Sequence, residues 1–189
     1  ATVFTVALLG LSVFTGVADI TDTAGGGSDF LWITRIPRTV ALVLSGASMA
    51  MAGLVMQLLT QNRFVEPTTV GTTEWAGLGL LLVYVFFPMS GLLTKMGAAI
   101  VFGFIGTMIF FAFLQKVKLK SSLIVPIVGM MFGAVVSAIS TFIAIRFNLL
   151  QTLGAWFAGR FTGIEVGRYE PLWIVLIVCA LVVVLADRF

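Results

Sequence analysis

Arg35-Ile36-Pro37-Arg38 is followed by 24 residues without a charge, Thr39 to Asn62. A hydrocarbon core of roughly 30 Å takes about 20 mainly apolar residues to cross as a helix, so this tract is read as membrane-spanning. The same pattern repeats along the chain. Eighteen uncharged residues precede Asp19, 20 separate Glu74 from Lys95, and 20 separate Lys95 from Lys116. Another 25 separate Lys120 from Arg146, and 16 separate Glu170 from Asp187. Sixty per cent apolar residues, ten per cent charged and a mean hydropathy of +1.15 lie outside the range of soluble domains.

The predicted fold is all-α: a polytopic transmembrane bundle of about six spanning helices plus one short interfacial or re-entrant helix. The predicted spans are about 1–17, 37–59, 71–87, 92–114, 122–145 and 171–186. Pro88 to Gly91 cuts into the outer end of the third. Asn148 to Gly159 is apolar but too short to cross, bounded by Arg146 and Arg160.

Composition also excludes chemistries. With no His and a lone Cys179, a transition-metal site and an internal disulfide are not expected. Gly25-Gly26-Gly27-Ser28 has no preceding strand and no following Gly-Lys-Ser/Thr, so it reads as a linker rather than a phosphate cradle. No basic tail suggests nucleic acid, and no cofactor is expected. A carboxylate pair among Gln57, Asn62, Glu66 and Glu74 lacks a metal, nucleophile or histidine to work with. No catalytic residue is assigned.

Orientation follows from Lys116, Lys118 and Lys120, which the positive-inside rule places in the cytoplasm. Arg63 and Glu66 then lie inside, and Arg35, Arg38 and the Asp19, Asp22 and Asp29 loop lie outside. Outer Arg35, Arg38, Lys95, Arg146, Arg160 and Arg168 run against the rule.

Arg35 and Arg38 sit at the positive end of the second span and call for anionic company. Lipid phosphates, the loop aspartates and a carboxylate on a partner docking from outside all fit. Gly46, Ala50 and Gly53 form a small-residue strip suited to helix packing. Gly129, Gly133, Ser137, Ser140 and Thr141 are expected along one face of the fifth span, either for close packing or as the wall of a translocation path. Gln57, Asn62, Glu66 and Glu74 are expected together at the cytoplasmic membrane edge.

Together, Arg35-Ile36-Pro37-Arg38, Gly46-Ala47, Gly53, Gln57, Asn62, Glu66-Pro67 and Gly71 resemble the iron-siderophore and vitamin B12 ABC importer permeases of the FecCD type. Gly154-Ala155-Trp156-Phe157-Ala158-Gly159-Arg160-Phe161 is similar to that family's Trp-x-x-Gly-x-Phe segment. The resemblance implies about ten helices, a dimer with a second permease subunit, two cytoplasmic ATP-binding subunits and an extracytoplasmic siderophore-binding protein. It implies that Arg35 and Arg38 dock that binding protein. It also implies that the Gly129 to Thr141 stripe, with Trp156 and Gly159, lines or gates the path. Gln57, Asn62, Glu66 and Pro67 form the motif at the cytoplasmic end. The implied location is the bacterial cytoplasmic membrane.

Two departures stand out. The family's Asn-Pro-Leu-Ala reads Asn62-Arg63-Phe64-Val65, and its Gly-Ala reads Trp75-Ala76. The wording Thr72-Thr73-Glu74-Trp75 looks like the branch carrying catecholate-type siderophores. No Walker motif occurs, in keeping with ATP binding on a separate subunit. Residues 1–189 are expected to be a single transmembrane domain, the trimmed N-terminal portion of a permease without its coupling helices or later spans. The alternatives are half of a secondary transporter, which calls for an acid at mid-depth, and a membrane scaffold without a transport role.

Overall fold

The computed structural model describes residues 2–14, 31–116, 124–159 and 170–186. Among them the elements are α1 (Thr2–Phe14), a π-type turn (Leu31–Arg35), α2 (Ile36–Thr60), a 3-10 turn (Pro67–Val70), α3 (Thr72–Phe86), α4 (Leu92–Lys116), α5 (Ile124–Arg146), α6 (Leu150–Phe157) and α7 (Pro171–Ala186). The helix bounds follow the charge-free tracts closely. The aspartate loop, Lys118, Lys120, Arg160 and Phe161 lie outside the described residues.

Helices α2, α4 and α5 are long and apolar enough to cross a membrane; α3 and α7 are shorter apolar helices. The chain is a helical membrane bundle, and its described residues fall into two compact units.

One unit holds residues 1–52 and 160–189. Pro37 lies in the first turn of α2, where its missing N–H is no loss, and it is fully buried. Ala41 and Leu44 continue that buried side, and Thr39 Oγ1 donates to the Arg35 carbonyl at 3.0 Å. Thr39, Val40, Val43 and Leu44 of α2 and Trp173 of α7 border an apolar hollow of about 260 Å³. A Cβ on Gly46 would meet no atom of another element within 4 Å among the described residues.

The other unit spans residues 53–159. In it α3 packs most extensively on α4 and next on α5. Gly79 lets the two backbones close up: a Cβ there would meet the Ala98 carbonyl at 2.7 Å. Gly106 of α4 seats the indole of Trp75, and Phe110, fully buried, lies 6.1 Å from the Phe132 ring of α5. At the far end of α5, Leu81, Ala144 and Leu153 form a buried cluster covered by Ile143, Leu149 and Trp156.

Helix α3 is too short to span alone: its 15 residues make about 22 Å at 1.5 Å per residue, against the roughly 30 Å of hydrocarbon. Around the 3-10 turn before it, Val65, Val70 and Gly71 are buried, as non-helical backbone beside an apolar helix has to be.

Candidate functional site

Residues 57–71 build the entry to α3 by local hydrogen bonds. Asn62 N–H donates to the Gln57 carbonyl at 3.2 Å, while Gln57 Nε2 donates to the Arg63 carbonyl at 3.1 Å. The buried Asn62 side chain accepts the Phe64 N–H at 2.9 Å. Glu66 N–H donates to Thr69 Oγ1 at 2.9 Å, and the Pro67 ring packs 3.7 Å from the Cβ position of Gly53. Gly71, at φ +79°, turns the chain into α3. Gln57, Asn62, Glu66 and Pro67 therefore hold the shape of this loop.

The loop then lies down on α5. The Thr69 carbonyl sits where a side chain on Gly129 would be, and a Cβ on Gly133 would be 3.2 Å from Gly71 Cα. Gly133 is nine residues into α5, about 13 Å from its start at 1.5 Å per residue. Glu74, in the first turn of α3, places its carboxylate 3.4 Å from that same Cβ position. The Glu74 carboxylate thus faces the glycine surface of α5.

Beside this contact is a cavity of about 270 Å³, lined by Thr68, Gly71, Glu74, Gly129, Met130, Gly133, Ala134 and Ser137. Met130, Ala134 and Ser137 are exposed at its rim. Among the described residues, Glu74 supplies its one acidic or basic side chain. Glu74 Oε2 is buried and has no hydrogen-bond partner among the described residues.

The predicted single stripe on α5 divides. Gly129, Gly133 and Ser137 line the cavity. Ser140 instead turns into the bundle with Val136 and Ala144 and donates to the Val136 carbonyl at 2.9 Å. Thr141 Oγ1 donates to the Ser137 carbonyl at 2.8 Å. These two hydroxyls bond back to their own helix and are not cavity-lining.

Residues 1–188 match the FecCD transport family. The chain belongs to that family. It is 58% identical over 187 residues to the petrobactin import system permease protein FatD of Bacillus anthracis, covering 98% of this chain and 56% of the relative. It is 38% identical over 183 residues to the petrobactin import system permease protein YclN of Bacillus subtilis, covering 94% and 58%. The FecCD chain thus spans a little over half the length of these relatives. A solved structure described as an inward-facing, metal-chelate type ABC transporter superposes with a TM-score of 0.76 at 22% identity. It matches over 96% of this chain and 58% of that one, and the likeness shows the fold.

In the same compact unit of the FecCD chain, Trp156 and Gly159 do not line the cavity. Trp156 stacks on Tyr84 at 4.7 Å, and the Lys95 ammonium lies 4.1 Å from the centroid of the Tyr84 ring. Gly159 follows α6 at φ +60°. Arg35 and Arg38, in the other compact unit, are half-buried and three residues apart, which puts them near one helix face.

Sequence reasoning missed the Lys95–Tyr84–Trp156 stack and the seating of Trp75 on Gly106. The second left a trace. A Trp on an apolar helix needs room elsewhere, and a glycine on a neighbouring helix is the signal to look for.

Proposed function

We propose that this chain is the N-terminal portion of the permease subunit of a bacterial ABC importer for an iron-siderophore. The observation that carries the reading is the 58% identity, over nearly the whole chain, to a petrobactin import permease. A ferric siderophore of that class is the proposed cargo. A second permease subunit, two cytoplasmic ATP-binding subunits and an extracytoplasmic binding protein complete the machine in the cytoplasmic membrane. ATP-driven closure of the ATPases rocks the paired permeases by alternating access, and this chain makes and breaks no covalent bond.

In this reading Arg35 and Arg38 receive carboxylates of the binding protein, and Gly129, Gly133 and Ser137 form part of the path wall. Small side chains there leave room for a bulky chelate while the bundle stays closed elsewhere. Trp156 and Gly159 place α6 as a gate at the outer end.

The test is radio-iron uptake in cells whose full-length permease carries Arg35→Glu and Arg38→Glu together. Uptake falls about tenfold or more at an unchanged level of permease in the membrane. Unchanged uptake would leave a scaffold. One observation favours the secondary-transporter alternative: Glu74 Oε2 is buried without a hydrogen-bond partner among the described residues, and such a transporter would keep an acid within the membrane. Inactivating nucleotide hydrolysis in the ATPase separates the two. The importer stops, whereas a secondary transporter continues until an uncoupler is added.

A further inference from the structure

The Glu74 cavity has the chemistry of a cation site, and we propose that it binds a protonated alkylamine. A buried carboxylate oxygen without a partner is costly, and Glu74 Oε2 is in that position. The first turn of α3 favours negative charge at Glu74. The group that completes the site is therefore positive and carries N–H donors. An ammonium donates up to three hydrogen bonds. The carboxylate of Glu74 and the hydroxyls of Thr68 and Ser137, all on the cavity wall, are acceptors for them.

Size and lining narrow the ligand class. The cavity measures about 270 Å³, far more than the roughly 30 Å³ a water molecule occupies. A bare monovalent ion would leave most of it unfilled. Divalent ions take several oxygen ligands, commonly more than one of them carboxylate. Among the described residues no group of three or more His, Cys, Asp or Glu exists. Met130 and Ala134 at the rim offer apolar surface to an alkyl chain leading away from the ammonium.

Two sources carry this chemistry: an amine on the cargo passing along α5, or a free amine of the cell. The cargo half rests on the importer reading; the site itself does not.

The test uses the full-length permease in membrane vesicles together with its ATPases and binding protein. A hydrophobic carbodiimide activates carboxyl groups, and peptide mass spectrometry reads the rate at which unmodified Glu74 is lost, N-acylurea and butylamide products counted together, with butylammonium chloride, sodium chloride or butanol present. Butylammonium slows labelling about tenfold, the scale of a charge-assisted hydrogen bond, and the other two do not. No protection by butylammonium, or equal protection by sodium chloride, overturns the proposal.

Uptake of ferric chelates with and without a free amine then separates the sources. If the cargo is the source, Glu74→Gln lowers uptake of the amine-bearing chelate about tenfold, Glu74→Asp restores part of it, and the amine-free chelate is unaffected. If both chelates enter normally while protection holds, the amine is a free one. Wild-type vesicles that take up neither chelate would refute the importer reading, and the labelling result would still stand.

Discussion

Gly71 and Gly133 meet backbone to backbone: a Cβ on Gly133 would lie 3.2 Å from the Gly71 Cα, and one on Gly71 would lie 3.0 Å from the Gly133 Cα. The partner at each contact is main chain, which cannot rotate aside as a side chain can. Gly133→Ala is expected to cost about 1–3 kcal/mol, the usual range for overpacking. Gly129→Ala costs more, since the Thr69 carbonyl already occupies the added methyl's place. Gly154→Ala, with nothing within 4 Å, is the control. Thermal unfolding of the full-length permease in detergent should rank them in that order, and equal midpoints would refute the close contact.

Trp75 and Gly106 are expected to behave as one unit. Gly106→Ala drives a methyl into the indole and destabilises by about 1–3 kcal/mol. Trp75→Ala empties the same space and costs about 3–5 kcal/mol if the site relaxes little. The double variant should be more stable than the two losses combined predict. Strict additivity would mean that the two residues do not share that space.

Tyr84 ties α6 to α3 through Trp156 and takes Lys95 on its ring. A double-mutant cycle of Tyr84→Leu and Trp156→Leu should give a coupling of about 0.5–1.5 kcal/mol. Lys95→Gln should remove about 0.5–1 kcal/mol only when Tyr84 is present. Hydrogen exchange along 150–157 should quicken in Tyr84→Leu and leave 124–140 unchanged. Uniform exchange would refute a local tie.

Asn62 is buried and accepts the Phe64 N–H. Asn62→Ala leaves that donor without its side-chain acceptor and is expected to cost about 1–3 kcal/mol. Asn62→Asp keeps an acceptor at the same atom and should lose less from this hydrogen bond. An equal loss in both would assign the role of Asn62 to its amide nitrogen instead.

Helix positions were legible because the bilayer imposes a length and charged residues mark its edges. Residues 37–59 were predicted for a helix that runs Ile36–Thr60, and 171–186 for one that runs Pro171–Ala186. Which side of a helix faces a neighbour was less legible. Ser137 and Ser140 stand only about 60° apart around α5 at 3.6 residues per turn. The neighbours alone decide that one lines a cavity and the other enters the core.

The contact of Glu74 with α5 was not legible for a related reason. Sequence proximity groups it with Asn62 and Glu66, and no local pattern says which neighbouring helix its carboxylate meets. No periodicity announces a turn of four residues. The Trp75–Gly106 match depends on two helices whose relative register no local pattern encodes.

The seating of the Thr69–Gly71 backbone on Gly129 and Gly133 also fixes the register of α5. Slide α5 by one turn, about 5.4 Å, so that Gly133 moves into the place of Gly129. The Thr69 carbonyl then meets a second glycine and Gly71 meets Ser137, a small side chain. Slide it the other way, and the carbonyl meets the branched side chain of Val125. The contact is a detent: a step of one turn in either sense brings a Cβ against main chain, that of Ser137 against Gly71 in one and that of Val125 against the Thr69 carbonyl in the other.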